Sequence, residues 1–132
     1  MNKVFLGGTC NESTWREKLI PALKIEYFNP VVDDWTPECQ AEEERQKNDV
    51  CNIHLYVITP KMTGVFSIAE VVESAITIHE RCIFCFLEND EDKSFTKGQI
   101  RSLEAVGNLV TKYGAVWCKE IEQVAKVLNS YK

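Results

Sequence analysis

The chain has 132 residues, 45% of them hydrophobic and 27% charged, which is the composition of a globular protein that can bury one core. Its formal net charge of −5 argues against a basic surface, so we expect no nucleic-acid polymer as a partner. No apolar run reaches membrane-spanning length and the first residues lack the apolar region of a signal peptide, so we expect a cytoplasmic protein without a membrane contact.

Five short apolar runs predict β-strands, and they lie at residues 3–7, 25–28, 50–58, 81–87 and 115–117. The third run is almost continuously hydrophobic, which is typical of a strand that is covered on both faces. It contains His54, which we therefore interpret as a core histidine with a hydrogen-bond partner rather than as a ligand.

Predicted helices alternate with these strands, at residues 14–23, 37–48, 67–79, 99–112 and 121–129; the second is an acidic helix, and the others show helical apolar spacing. Thr36 and Pro37 are the cap and the first residue typical of a helix start. Residues 88–97 form a polar stretch without periodicity. The alternation predicts an α/β fold: a flavodoxin-like three-layer sandwich with a five-stranded parallel sheet, in one domain covering residues 1–132.

Six cysteines occur in a chain without a secretory signal, so we expect reduced thiols. Cys82 and Cys85 have the spacing of a redox or zinc pair, but they lie on a predicted buried strand, where residues three apart face opposite sides. No second pair or histidine cluster has the spacing of zinc ligands, so the sequence predicts no metal site.

In a parallel sheet the loops that follow the strands meet at one edge, where α/β proteins bind ligands. Gly7, Gly8 and Thr9 end the first predicted strand, and their backbone N–H groups offer a cradle for a phosphate or a sugar hydroxyl. A tight turn without a ligand explains the two glycines equally well. Neither a dinucleotide-binding loop nor a P-loop spacing is present, so we expect no bound cofactor.

Asp33, Asp34 and Trp35 follow the second predicted strand at the same edge. The Trp35 ring can stack on a base, and an aspartate can accept hydrogen bonds from sugar hydroxyls. The alternative is that the two aspartates form a turn and cap the next helix.

The third helix is predicted to begin at Ser67, with Glu70 in its first turn. A helix N-terminus favours an ionised carboxylate, and such a carboxylate is a nucleophile suited to attack at an anomeric carbon. The alternative is a capping box, in which Ser67 bonds the backbone of Glu70 and the Glu70 side chain reaches back. Asn48 and Asp49 precede the third strand, across the sheet from these residues unless the preceding helix or a neighbouring subunit brings them round.

Three motifs resemble the nucleoside 2-deoxyribosyltransferase family, and most closely its short phage and bacterial branch: Phe5-x-Gly7-Gly8, Asn48-Asp49, and Ser67-Ile68-Ala69-Glu70-Val71. The resemblance extends from residue 3 to about residue 87. It implies that Glu70 attacks the anomeric carbon of a 2′-deoxynucleoside, that Asp49 assists at the base, and that a second base or water accepts the sugar. It also implies a homo-oligomer in which a neighbouring subunit completes each pocket.

Two positions depart from the family pattern. Gly64 stands where the family has an aspartate that binds a sugar hydroxyl, and Phe5 stands where it has a tyrosine that orients the nucleophile. These departures favour a second hypothesis, a nucleotide-binding module without catalysis. An interaction domain without a small ligand is a third.

Our leading hypothesis is an enzyme that cleaves or exchanges the N-glycosidic bond of a small-molecule nucleoside or nucleotide. The catalytic residues are expected to be Glu70 and Asp49. The residues expected to bind substrate are Gly7, Gly8, Thr9, Asp33, Trp35, Gly64 and Ser67.

Overall fold

The core of the fold is a β-sheet, seen in a computed structural model that describes residues 2–10 and 12–131. The strands are β1 (Lys3–Gly8), β2 (Glu26–Phe28), β3 (Ile53–Ile58), β4 (Cys82–Phe86), β5 (Asn89–Asp90), β6 (Lys93–Ser94) and β7 (Val116–Cys118). Five of them form one parallel sheet in the order β2-β1-β3-β4-β7. This order is flavodoxin-like, so the predicted α/β sandwich with a five-stranded parallel sheet is confirmed.

Helices cover both faces of this sheet. They are α1 (Trp15–Leu19), α2 (Pro37–Arg45), α3 (Phe66–Ile78), α4 (Lys97–Lys112) and α5 (Ile121–Asn129). α1 and α5 pack on one face and α3 and α4 on the other, so each face of the sheet has its own apolar cluster. In the described part of the chain, no helix combines the length and the apolar character needed to cross a bilayer.

Several element boundaries differ from the prediction for local reasons. The first helix ends at Leu19 and continues as a 3₁₀ turn, Ile20–Ala22, because Pro21 cannot donate to the carbonyl four residues earlier. The second ends at Arg45 and continues as a π-helical turn, Gln46–Val50, so the third strand begins only at Ile53. The polar stretch 88–97 contains the β5–β6 hairpin.

The last residue of β1 has to be glycine. Gly8 has φ of +113°, and a Cβ at this position would lie 2.1 Å from the backbone oxygen of Val57 on β3. The next residue, Thr9, donates its N–H to that same oxygen at 2.9 Å. β1 therefore approaches β3 more closely than a side chain permits, and the chain turns toward α1 directly after this contact.

We predict that Gly8→Ala lowers the free energy of unfolding by about 2–4 kcal/mol, because the added Cβ meets backbone that cannot move aside and the φ is unfavourable. The measurement is urea denaturation followed by circular dichroism. The control is Gly64→Ala, since a Cβ at Gly64 would meet no atom within 4 Å. This control should stay within about 1 kcal/mol of wild type. Equal losses in the two variants would contradict the assigned backbone constraint.

Candidate active site

Two clefts share a wall formed by Phe66 and Glu70. The first, here named the β1 cleft, has a volume of about 320 Å³. The residues beside the shared wall include Gly8, Thr9, Cys10, Gly64 and Ser67. The second, here named the α2 cleft, has a volume of about 450 Å³. Its residues include Trp35, Glu43, Lys47, Asn48 and Glu73.

The prediction placed Glu70 in the first turn of its helix, but Glu70 reaches this wall from the second turn of α3. The helix begins at Phe66, and its N-cap is Val65, so Ser67 is already inside the helix. The capping-box alternative is therefore wrong, because a residue inside the helix is not the cap and no side-chain cap bond is present among the described residues. The Glu70 side chain is left to interact with groups outside its own helix.

The partner of Glu70 is Lys47. The Lys47 Nζ lies 2.8 Å from Glu70 Oε2 and 3.5 Å from Glu73 Oε1. The side chains of Lys47 and Glu70 are only 13% and 16% exposed, whereas that of Glu73 is 67% exposed. A charge-assisted bond that is shielded from water is stronger than a surface ion pair, so the contact to Glu70 dominates.

Lys47 is itself held by a buried chain of hydrogen bonds. The Nε2 of His54 lies 2.7 Å from the Lys47 carbonyl oxygen, and its Nδ1 lies 2.8 Å from Ser74 Oγ. The Tyr56 hydroxyl is 2.9 Å from the same Ser74 oxygen. His54 is thus a buried histidine with hydrogen-bond partners, as predicted, but its partner carries the cation that binds Glu70.

The direction of each bond in this chain follows from its carbonyl end. A carbonyl oxygen only accepts, so Nε2 of His54 carries the hydrogen and donates a hydrogen bond to the Lys47 carbonyl oxygen. In neutral His54 the Nδ1 then accepts from Ser74, and Ser74 accepts from Tyr56. Burial lowers the pKa of His54 below its usual value and raises the pKa of the Tyr56 phenol far above its usual value. Both effects preserve this arrangement near neutral pH.

We predict that the neutral state of His54 makes stability depend on pH. Unfolded histidine titrates near 6.5, and the folded pKa of His54 is lower, so the unfolded state binds more protons below about pH 6.5. Stability from this group is therefore fully present above pH 6.5 and is lost as pH falls toward the folded pKa. Urea denaturation between pH 5 and 7 measures the slope. His54→Gln should flatten it, whereas His79→Gln, at an exposed histidine, should not; equal slopes in all three proteins would contradict the assignment.

A buried arginine shapes the loop at the end of β1. The Arg16 guanidinium donates to the carbonyl oxygen of Leu6 at 2.8 and 3.0 Å and to that of Thr9 at 2.7 Å. The Trp15 indole N–H also donates to Thr9, at 2.8 Å, and the Arg16 guanidinium lies over the Trp15 ring. Because these carbonyls point at Arg16, the loop is held rigidly beside the β1 cleft.

The β5–β6 hairpin ties the loops on the outer side of the β1 cleft together. Ser13 donates to the buried carboxylate of Asp90 at 2.6 Å, and Lys61 pairs with Glu91. Loops that follow three different strands are thereby joined, as the geometry of a parallel sheet edge predicts.

The predicted binding residues fall into three groups. Gly8, Thr9, Gly64 and Ser67 line the β1 cleft, as does Glu70, and Trp35 lines the α2 cleft. Asn48 lines the α2 cleft as well, because the turn after α2 brings it round. Gly7, Asp33 and Asp49 are not among the described residues that line either cleft. Gly7 lies against the Tyr56 ring inside the sheet, and Asp33 and Asp49 are exposed.

The sequence did not identify Lys47, Glu43 or Phe66 as site residues. Lys47 and Glu43 belong to a segment that reads as an ordinary acidic helix, and only the π-helical turn aims Lys47 at α3. Phe66 is 74% exposed beside Glu70. A large apolar residue directly before the predicted helix start was the one available signal for it.

The cysteine pair lies on opposite faces of β4, as predicted. Cys82 belongs to the apolar cluster beneath α3 and α4, and Cys85 to the cluster beneath α1 and α5. Burial raises the pKa of each thiol to about 12, so both are unreactive at neutral pH.

The sequence profile of the family described as nucleoside 2-deoxyribosyltransferase like matches residues 1–89 of the chain. The match runs from β1 to the beginning of β5 and includes every residue named above as lining a cleft. The protein therefore belongs to this family, which supports a role in glycosyl transfer on nucleosides. No curated protein and no solved structure matches the chain.

Proposed function

We propose that the protein cleaves or exchanges the N-glycosidic bond of a nucleoside or nucleotide, with Glu70 as the nucleophile. The observation that carries this proposal is the position of the Glu70 carboxylate between two clefts, with Oε2 bound to Lys47. The other oxygen attacks the anomeric carbon as the bond to the base breaks, and the bonding electrons leave with the base. A second base then takes the sugar in a transferase reaction, or water takes it in a hydrolase reaction.

The two clefts offer different chemistry to the two parts of such a substrate. The α2 cleft contains Trp35, whose side chain is 64% exposed and can stack on a base, and the Asn48 amide, which can bond to the edge of a base. The β1 cleft contains hydroxyls and the backbone of Gly8, which suit a sugar. The base therefore occupies the α2 cleft and the sugar extends into the β1 cleft.

Two acidic residues, Asp49 and Glu43, are candidates for the group that protonates the leaving base. The family resemblance suggests Asp49, but the lining of the α2 cleft favours Glu43. Burial, together with the neighbouring charge of Glu70, raises the pKa of Glu43 above its usual value. A carboxyl group with a raised pKa beside a nucleophilic carboxylate is the arrangement that acid-assisted glycoside cleavage uses.

A homo-oligomer is part of this proposal. Trp35, Val65 and Phe66 are 64%, 69% and 74% exposed around the clefts, an apolar surface that water alone covers poorly. A second copy of the chain that covers these residues would close the base site from outside.

A second candidate function is a nucleotide-binding module without catalysis. It is favoured by Gly64, which leaves open space where the family has a carboxylate, and by Phe5, which is buried and carries no hydroxyl. The clefts would bind the same class of ligand in both cases, so only turnover separates the two functions.

We predict that Glu70→Gln lowers turnover at least about a thousandfold while nucleoside binding persists, because the amide cannot form the glycosyl intermediate. The assay incubates the protein with deoxynucleosides and acceptor bases, and separately with nucleotides, and separates the products by chromatography. The control is Glu104→Gln, which should leave turnover unchanged, because Glu104 is an exposed glutamate on α4 and lines neither cleft.

Equal turnover in wild type and Glu70→Gln would refute the nucleophile assignment. Saturable nucleotide binding without turnover in wild type, unchanged by Glu70→Gln, would support the binding module instead. Binding is measured as a ligand-dependent rise in melting temperature.

We also predict that Glu43→Gln lowers turnover of ordinary nucleosides by about 10²–10⁴-fold, because the base then leaves without a proton. A glycoside whose leaving group needs no proton, such as a deoxyribosyl fluoride, should react at nearly the wild-type rate. Asp49→Asn is the matched comparison. If Asp49→Asn shows this substrate-dependent loss and Glu43→Gln does not, the acid is Asp49.

A further inference from the structure

We propose that Lys47 is a positioning residue for the Glu70 carboxylate, and that the buried chain Tyr56–Ser74–His54 fixes Lys47 in place. The inference rests on the proposed function. It concerns a residue whose ammonium binds the proposed nucleophile, and it is argued from the contacts of Lys47 at its side-chain end and at its backbone end.

At the side-chain end, Lys47 restricts one oxygen of the nucleophile. Its Nζ binds Glu70 Oε2 at 2.8 Å, and both side chains are largely shielded from water. A carboxylate bound through one oxygen cannot rotate freely, so Oε1 keeps one direction. Attack at an anomeric carbon needs an oriented oxygen, because reacting atoms that are displaced by about 1 Å can cost a factor of 10² in rate.

At the backbone end, Lys47 lies in the π-helical turn Gln46–Val50. A lysine side chain has four rotatable bonds, and it holds a single position only if its backbone is fixed. The Cys51 N–H donates to the Gln46 carbonyl at 2.7 Å, which widens the turn and leaves the Lys47 carbonyl to accept from His54. The histidine therefore fixes the residue from which the ammonium extends.

The buried series of hydrogen bonds ends on α3, the helix that carries the proposed nucleophile. Ser74 lies four residues after Glu70, so the two side chains stand on the same face of α3 one turn apart. One contact joins Glu70 to Lys47, and another joins Ser74 to His54, whose ring bonds Lys47. This closed ring of contacts fixes the distance between the π-helical turn and α3, while Tyr56 supports it from β3.

The first test compares Lys47→Met with Lys47→Arg in the assay for N-glycoside turnover. We expect Lys47→Met to lower kcat about 30- to 100-fold, since it removes one hydrogen bond to a charged group, and to change KM less than about threefold. Lys47→Arg, which keeps the cation, should recover most of the rate. In Lys47→Ala, added propylammonium should restore part of it.

The matched control is Arg45→Met, which removes a cation of similar size two residues away in an exposed pair with Glu42. It should leave kcat unchanged. Equal losses in Arg45→Met and Lys47→Met, or a loss in Lys47→Met that appears only in KM, would overturn the proposal.

The second test asks whether the buried chain acts through Lys47. Ser74→Ala removes the hydroxyl that His54 and Tyr56 share, and it should lower kcat in the wild-type background but not in Lys47→Met. Such non-additivity is expected when two residues work through one contact. Independent losses that multiply in the double variant would show that Ser74 affects the site by another route, and would overturn this part of the proposal.

A third measurement does not depend on turnover. Lysines are acetylated with acetic anhydride and followed by mass spectrometry, and Lys47 should react slowly in wild type and faster in Glu70→Gln and in Ser74→Ala. Fast reaction of Lys47 in the wild type would overturn the positioning role even if the enzyme is active. If the wild-type protein shows no turnover, the proposed function is refuted. Slow acetylation of Lys47 in that same protein would still support the Lys47–Glu70 contact.

Discussion

The close contact between β1 and β3 is the constraint on which the site depends. Gly8 lets the two backbones approach within a distance that no Cβ tolerates. Thr9 then donates its N–H to the Val57 carbonyl oxygen, and its hydroxyl oxygen accepts the N–H of Thr59. The loop after β1 is thereby fixed beside the loop that leads to α3. One step earlier, Gly7 leaves room for the Tyr56 ring beneath the same loop. Two adjacent glycines thus make room for the β1 cleft and for Tyr56, the first member of the buried series of hydrogen bonds.

The buried chain then follows from the need to satisfy polar groups in a core. Tyr56, His54 and Ser74 are all buried between β3 and α3, where an unpaired hydroxyl or imidazole would be costly. Each finds a partner in the next, and the last partner is a backbone carbonyl of the π-helical turn. The hydrogen bonds that pair these buried polar groups therefore extend to the candidate site, because that carbonyl belongs to Lys47.

These features also explain which parts of the structure could be predicted from sequence. The alternation of apolar runs with helical spacing is a local pattern, and it was enough to establish the parallel sheet and its loops. The β1 cleft follows from that topology, so Gly8, Thr9, Ser67 and Glu70 were placed near one another correctly. The α2 cleft depends on the π-helical turn, which forms because His54 and Cys51 bind its backbone rather than because of its own residues. Such a turn has no local sequence signal, and Lys47 was missed for that reason.

The departures from the family pattern acquire a physical meaning in this arrangement. Phe5 brings no hydroxyl to the site, and its ring instead lies edge-on against His54 at 6.2 Å, inside the core that supports Lys47. In the proposed mechanism, the Lys47 ammonium holds one oxygen of the Glu70 carboxylate, which is the task that the family resemblance assigns to the tyrosine hydroxyl. Gly64 has no comparable replacement, since the space around it is open. In the proposed mechanism, the side of the site that would bind the sugar is therefore less complete than the side that orients Glu70, and the proposed second copy of the chain would supply the missing contacts.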